Sequence, residues 1–299
     1  MLDRHRLKRR LVIWRTLAVL VLVGAILLGV RDSGAMFGGS YVAHLTVSGL
    51  ITEDSKLDEA VAKLAKEPRA RALIVEIDSP GGSVSGGESL HDAIATVAGK
   101  KPVVVVMDGI ATSAGYMIAV PAAWIFAKQA TLTGSIGVLL PTAEASGLLK
   151  TLGISVDEIV SGPLKDQPNY TKPLTPEGRA VLQGLVTDLY DQFVTMVATG
   201  RHMDADAVRT LADGRAYTGR QALKLGLIDA IGGMPQARIW LAGKDVPEDL
   251  PMQAVTTGTL SDRLFAGSLG GLFGSVWKSV VSQGVILDGA WSIWQRPGN

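Results

Sequence analysis

Ser113 is the residue with the clearest chemical opportunity in the chain. It stands in Asp108-Gly-Ile-Ala-Thr-Ser-Ala-Gly-Tyr-Met-Ile-Ala119, between the apolar run Pro102-Val-Val-Val-Val-Met107 and a small apolar segment from Ala114 to Val120. Four consecutive valines predict a strand buried on both faces, and the segment after the serine predicts the start of a buried helix. A serine at such a junction faces orphan helix N–H groups, which favour negative charge. Two roles fit: a nucleophile, or an N-cap, which is serine's commonest role there.

A second stretch, Asp78-Ser-Pro-Gly-Gly-Ser-Val-Ser-Gly-Gly87, follows the apolar run from Ala72 to Ile77 and reads as a loop. Its glycines admit three roles. They could make a turn with positive φ, or cradle a phosphate, although neither GxxxxGK[ST] nor GxGxxG is present. They could also bring backbone amides close to a reacting carbonyl as an oxyanion site. Both this stretch and Ser113 fall at the carboxyl ends of predicted strands, where ligands bind in open α/β sheets. That coincidence favours the oxyanion role.

A serine nucleophile needs a base. The histidines are His5, His44, His91 and His202, with no HExxH pair to suggest a zinc peptidase. His44, on the first predicted strand, is the best histidine for a triad; a structural strand histidine is the competing role. Lysine serves as a base when burial lowers its pKa. Lys165 stands in Ser161-Gly-Pro-Leu-Lys-Asp-Gln-Pro168, an irregular loop where a lysine is ordinarily a solvated charge. The chain has no cysteine, which excludes disulfides, thiolate metal sites and a cysteine nucleophile.

The elements that must position these groups alternate. Tyr41 to Ile51 predicts a strand, and Ser55 to Glu67 an amphipathic helix with Leu57, Ala60, Val61 and Leu64 on one side. The strand 72–77, the Gly-rich stretch, a helix carrying Leu90, Ile94 and Val97, and the valine strand follow. This is the rhythm of right-handed βαβ units around a mainly parallel sheet, an α/β fold. Beyond Ser113 we expect a short strand at 124–128, a turn at 130–138 leading into another, a helix at 143–152 closed by Gly153, and a short strand at 156–160. Thr175 and Pro176 open a long helix as N-cap and N1. Its apolar stripe of Val181, Leu182, Leu185, Val186, Leu189, Phe193, Met196 and Val197 predicts core or an oligomer contact. Thr218 caps a shorter helix that Gly226 ends.

The 299 residues, 47% hydrophobic, suffice for one large domain or two small ones. The net charge of +1 gives no general sign of nucleic-acid binding. Its distribution is uneven: residues 1–15 carry six basic side chains against Asp3, a net of +5, which leaves −4 for the remainder. Thr16 to Val30 is uncharged and apolar, and Leu11 to Trp14 extends it behind Arg15. Together they approach the roughly 20 residues that cross a bilayer. A transmembrane anchor, a cleaved signal peptide and a buried helix are the three roles open to it. For an anchor, the positive-inside rule puts the leader in the cytoplasm and the rest outside, in a single-pass inner-membrane topology with a periplasmic catalytic domain. We divide the chain into a leader 1–15, an anchor 16–30 extendable back to 11, a linker 31–40, a domain 41–245, and an appendage 246–299. The last holds Trp277, Trp291 and Trp294 in a Gly-, Ser- and Leu-rich context. It fits packing between subunits, a membrane interface, or an unordered tail.

Over residues 40–240 the sequence resembles the S49 serine proteases, the signal peptide peptidase A family, in their short single-copy form. The resemblance rests on Ile77-Asp-Ser-Pro-Gly-Gly82, Ala111-Thr-Ser-Ala-Gly-Tyr116, Thr133-Gly-Ser-Ile-Gly-Val138, Ser161-Gly-Pro-Leu-Lys-Asp166 and the run from Gly214 to Asp229. It implies a ClpP/crotonase-like fold. It also implies Ser113 as nucleophile, Lys165 as general base, and the amides of Gly82 and Ala114 as the oxyanion hole. Ring-shaped homo-oligomers whose neighbours complete each other's active sites are implied as well. The expected substrates are extended apolar peptides such as signal-peptide remnants beside the membrane, with no cofactor, metal or nucleic acid involved. Two departures stand out. Ser-Ala-Gly-Tyr-Met replaces the family's Ser-Gly-Gly-Tyr-Tyr, and Gly-Pro-Leu-Lys-Asp replaces Gly-Lys-Tyr-Lys-Asp, which alters the surroundings of Lys165. Two alternatives share the fold: a crotonase-type acyl-CoA enzyme, in which Ser113 and Lys165 are incidental, and a non-catalytic membrane scaffold.

Overall fold

The computed structural model describes residues 14–21 and 39–256. Residues 14–21 are helical, with Trp14, Leu17, Val19, Leu20 and Val21 exposed. Among the described residues no helix is long and apolar enough to cross a membrane. The expected leader and anchor fall on described residues only at 14–21, and the remainder of both lies outside them. So do linker residues 31–38 and the appendage from 257 onward.

Three long strands form the centre of the sheet: β1 (Tyr41–Ile51), β2 (Ala70–Gly82) and β3 (Val103–Thr112). They are joined by α1 (Ser55–Lys63), which runs on into a 3₁₀ turn at Leu64–Lys66, and by α2 (Val84–Ala98). Both connections return the chain to a parallel neighbour, as the alternating pattern predicts. After β3 come α3 (Ala114–Met117), β4 (Trp124–Ala127), β5 (Leu132–Gly134), α4 (Ser146–Thr151), α5 (Pro176–Arg201) and α6 (Ala205–Leu211). Then follow β6 (Ala216–Thr218), α7 (Gly219–Lys224), β7 (Ala230–Ile231), α8 (Met234–Ala242) and β8 (Met252–Ala254). The sheet order is β6-β5-β3-β2-β1-β8, with β4 alongside β3 and β7 alongside β4. Every pairing is parallel except β5 with β6.

The central strands are buried on both faces, and their unbroken apolar runs follow from that. Leu73, Ile74 and Val75 of β2 and Val103 to Met107 of β3 have almost no accessible surface. One face carries the larger core, under α1, α2, α3 and the carboxyl half of α5, including Val61, Ile94, Tyr116, Phe193 and Val197. The other face packs Val42, Ile74, Val104, Val106 and Phe126 against Ala237 and Leu241 of α8.

Several expectations change. The Gly-rich stretch is not a loop: β2 runs through Gly82 and α2 starts at Val84, with Ser83 as its N-cap. The reason is steric, since a Cβ on Gly82 would lie 1.8 Å from the Ile51 carbonyl oxygen, so the two backbones can pair there only at a glycine. The helix expected at 143–152 shortens to α4. Residues 156–160 form no strand, because β propensity alone cannot make one without a sheet edge to join. Along α5 the expected stripe is buried at Phe193 and Val197, with Val194 buried beside them, whereas Val181 and Leu185 are exposed. The domain also extends past 245, because Met252–Ala254 pair with Val42–His44 as an edge strand.

Candidate active site

Ser113 ends β3 and begins α3, as the strand-to-helix junction predicts, but it does not act as a cap. Its backbone sits at φ 55, ψ −123, and its side chain makes no capping hydrogen bond. The contrast is within the chain: Ser83 has the extended φ −68, ψ 145 of a cap, and its Oγ accepts from the Gly86 N–H at 3.2 Å. A non-glycine residue with positive φ costs on the order of 1–3 kcal/mol and persists only where its surroundings impose it. Here the Ser113 N–H donates to Gly134 O at 2.9 Å, and the Tyr116 and Met117 N–H groups both donate to Ser113 O at 2.9 Å. Among the described residues the half-buried Ser113 hydroxyl has no hydrogen-bond partner.

Gly81 is the residue against which this turn is built. Its φ of +110 is one that L side chains rarely adopt, and a Cβ there would lie 2.8 Å from Ser113 Cβ and 3.2 Å from Ala114 N. The Gly81-Gly82 segment and the start of α3 are therefore side by side. The Ala114 N–H opens α3, where no preceding helical carbonyl can receive it. Behind them Tyr116 is fully buried and its hydroxyl donates to Leu227 O at 2.8 Å. Burial pushes that phenol's pKa above its ordinary value near 10. Asp229, two residues on, receives Arg201 through both oxygens at 2.8 and 3.0 Å, and one of those oxygens also accepts the Ile125 N–H at 2.8 Å.

Four of the five sequence motifs converge, one through the close approach of Gly81 and three through hydrogen bonds. Ser113 meets Gly134, Ser135 N–H donates to Arg215 O at 3.0 Å, and Tyr116 reaches Leu227. The fifth does not. Lys165 closes a turn through its own N–H to Gly162 O at 3.1 Å, and its side chain is exposed. Among the described residues its ammonium joins no hydrogen bond or ion pair, while its neighbours are tied together: Lys172 sits 3.3 Å from Asp166 and 3.7 Å from Glu158. No bond joins Lys165 to Ser113 within the chain.

The other basic side chains fit a base role no better. His44 is level with Ile74 and Val104 in the sheet, nine residues short of Ser113 along β3, or about 30 Å at the rise of an extended strand. It is paired instead with Glu76 at 2.8 Å. Lys101 has a pKa lowered by burial, but it precedes β3 at the end away from Ser113. Lys128 is held protonated, its pKa raised by the Asp108 carboxylate 2.7 Å away. Among the described residues no cluster of side chains could hold a metal ion.

The sequence did not single out the buried hydroxyls around the turn. Ser79 and Thr133 have no accessible surface and Thr112 is nearly as enclosed. Ser79 lies inside the quoted Ile77–Gly82 motif, and its inward position by strand alternation from the buried Ile77 was the available signal.

The profile of peptidase family S49 matches residues 95–245. A Synechocystis sp. protein described as a candidate protease is 39% identical over 220 residues, 72% of this chain and 78% of its own length. The chain belongs to peptidase family S49. Protease 4 of Salmonella typhi is 33% identical over 223 residues, covering 74% of this chain and 33% of that protein. The chloroplastic serine protease SPPA of Arabidopsis thaliana is 32% identical over 217 residues, covering 71% and 32%. This S49 chain thus spans about a third of the length of the latter two relatives. As an S49 member it is a serine peptidase, and the acyl-CoA alternative falls away with that membership.

Proposed function

We propose that this S49 peptidase is a membrane-anchored endopeptidase with a Ser113/Lys165 dyad, closed between neighbouring copies, that cleaves extended apolar peptides such as remnant signal peptides. The observation that carries the nucleophile is the backbone of Ser113, strained to φ 55 with an unpaired hydroxyl beside the Gly81-Gly82 segment. Strain of that kind clusters at functional sites, and the side chain of this serine caps nothing. In the proposed reaction the Lys165 amine takes the Ser113 proton as Oγ attacks a peptide carbonyl. The amides of Gly82 and Ala114 stabilise the resulting oxyanion, and water then releases the acyl-enzyme.

Two features support a dyad shared between copies. Lys165 is exposed and unpaired among the described residues, whereas a basic lysine needs desolvation. In addition, Leu139, Leu152, Ile159, Tyr170 and Leu185, on the segment that flanks and carries Lys165, all expose apolar surface. This number of large exposed apolar side chains along one segment fits an interaction surface. The anchor at 16–30 and a periplasmic catalytic domain rest on the sequence pattern, with the exposed apolar side chains of 14–21 in support.

A fluorophosphonate probe tests the nucleophile: it should label wild type and not Ser113→Ala, and equal labelling would overturn the assignment. For the base, Ser113→Ala and Lys165→Ala proteins are co-expressed. Recovered activity is expected from mixed assemblies, and its absence when mixed assemblies are demonstrated would rule out a shared dyad. A reporter fused after residue 299 should read as extracytoplasmic.

A further inference from the structure

We propose that Ser79 is a positioning residue for catalysis, acting with Thr112 to hold the Gly81-Gly82 segment in register with the Ser113 turn. The inference rests on Ser113 as nucleophile and the neighbouring amides as oxyanion donors, as proposed above.

The sheet is irregular at this point. The β1–β2 pairing shifts register between Ser48 and Leu50, and the β2–β3 pairing shifts between Ile77 and Ser79, where Asp108 to Ile110 bulge before Ala111 pairs with Ser79. Bulges leave backbone groups without ladder partners and re-aim the residues beyond them. Ser79 lies inside the first shift and is the residue at which pairing resumes after the second. Its hydroxyl donates to Gly49 O at 2.6 Å, where Gly49 lies at φ +70 in the β1 irregularity. The same oxygen accepts the Gly81 N–H at 3.1 Å. One buried hydroxyl thus satisfies a carbonyl from β1 and an amide from the glycine pair.

The second clamp comes from the other side. Thr112, the residue before Ser113, donates its Oγ1–H to Pro80 O at 3.0 Å. Pro80 and Gly81 are therefore held by Thr112 and Ser79 respectively, and the two holds meet in adjacent residues. Because Gly81 abuts Ser113 directly, any rotation of the Gly81 peptide moves the proposed oxyanion donors relative to the nucleophile. With the Gly81 N–H committed to Ser79, the Gly82 N–H is the amide of the pair left for substrate. Ser79 is the one buried polar side chain on β2, and nothing in the pairing of a parallel sheet requires it. One of its bonds holds the Gly81 amide, and the other ties that hold to Gly49 of β1.

The test compares the full chain in detergent as wild type, Ser79→Ala, Thr112→Val and Thr112→Ser on one fluorogenic peptide. Ser79→Ala should lower kcat about 10- to 100-fold with KM nearly unchanged, since misaligning a reacting constellation or an oxyanion donor acts on the transition state. It should weaken inhibition by a peptide aldehyde, which forms a tetrahedral adduct, by a similar factor. Inhibition by the alcohol of the same sequence, which forms none, should not change. Thr112→Val should behave likewise, with Thr112→Ser restoring activity; this pair carries the test if Ser79→Ala does not fold. A folded Ser79→Ala with kcat within two-fold of wild type overturns the inference, as does equal weakening by aldehyde and alcohol. Ser113→Ala separates the two levels: if it still turns over substrate, the nucleophile assignment itself fails, whereas an inactive Ser113→Ala with an active Ser79→Ala refutes only the role of Ser79.

Discussion

If Ser113 is held in a strained backbone for chemistry alone, removing the strain should stabilise the protein while removing the activity. Glycine tolerates φ 55, ψ −123 freely, whereas serine and alanine do not, so Ser113→Gly and Ser113→Ala differ mainly in that strain. Both delete a hydroxyl that makes no hydrogen bond among the described residues, so neither loses one. Positive-φ strain at a non-glycine residue is about 1–3 kcal/mol. The greater unfolded-state freedom of glycine returns about 0.4–1 kcal/mol of that. At the middle of both ranges, Ser113→Gly should therefore be more stable than Ser113→Ala by about 1.3 kcal/mol. For a folded domain of roughly 200 residues that is a difference of about 3–5 °C in apparent Tm. The measurement is a pair of thermal melts at equal protein and detergent concentration, because assembly makes Tm concentration-dependent. Both variants should fail to react with a fluorophosphonate. If Ser113→Gly melts at or below Ser113→Ala, the backbone at 113 is not strained, and the chief observation behind the nucleophile is lost.

Tyr116→Phe should cost about 1–3 kcal/mol by leaving Leu227 O unpaired in the core, measurable by denaturant unfolding. The buried phenol has a raised folded pKa, so its contribution is complete below the ordinary tyrosine pKa near 10 and is lost as pH rises beyond it. Wild type should accordingly lose its advantage over Tyr116→Phe above pH 10, and an unchanged gap there would argue against that ionisation. Arg201→Ala leaves the half-buried Asp229 without its bidentate partner and should destabilise by about 1.5–3 kcal/mol, with Arg201→Lys recovering only part of it. Ile159→Glu, on the exposed apolar surface near Lys165, should shift sedimentation toward smaller species and lower activity in parallel. Unchanged assembly would remove that surface from the proposed interface.

The chemistry-bearing part of the fold was legible in the sequence because local pattern and global position agree there. Four valines followed by a small apolar segment can hardly be anything but a buried strand entering a buried helix, and Ser113 falls at that junction. The same holds for Thr175 and Pro176, which open α5 where expected. Where local pattern and context diverge, the sequence misleads. Residues 156–160 carry strand-forming side chains but find no edge to pair with. The glycines at 81 and 82 suggest a loop, yet they exist so that β2 can run on against Ile51 and Ser113.

By itself the sequence determined the α/β class, the parallel core and the family motifs, since these depend on hydrophobic periodicity and residue type. Tertiary structure alone decided that Ser113 is strained rather than capping, because φ is imposed by bonds to Gly134 and by contact with Gly81, both distant in sequence. It also decided that Ser79 and Thr112 point their hydroxyls at the glycine segment, and that within one chain no bond joins Lys165 to the serine. Bonds of that kind depend on which distant segments meet, and no local pattern encodes that.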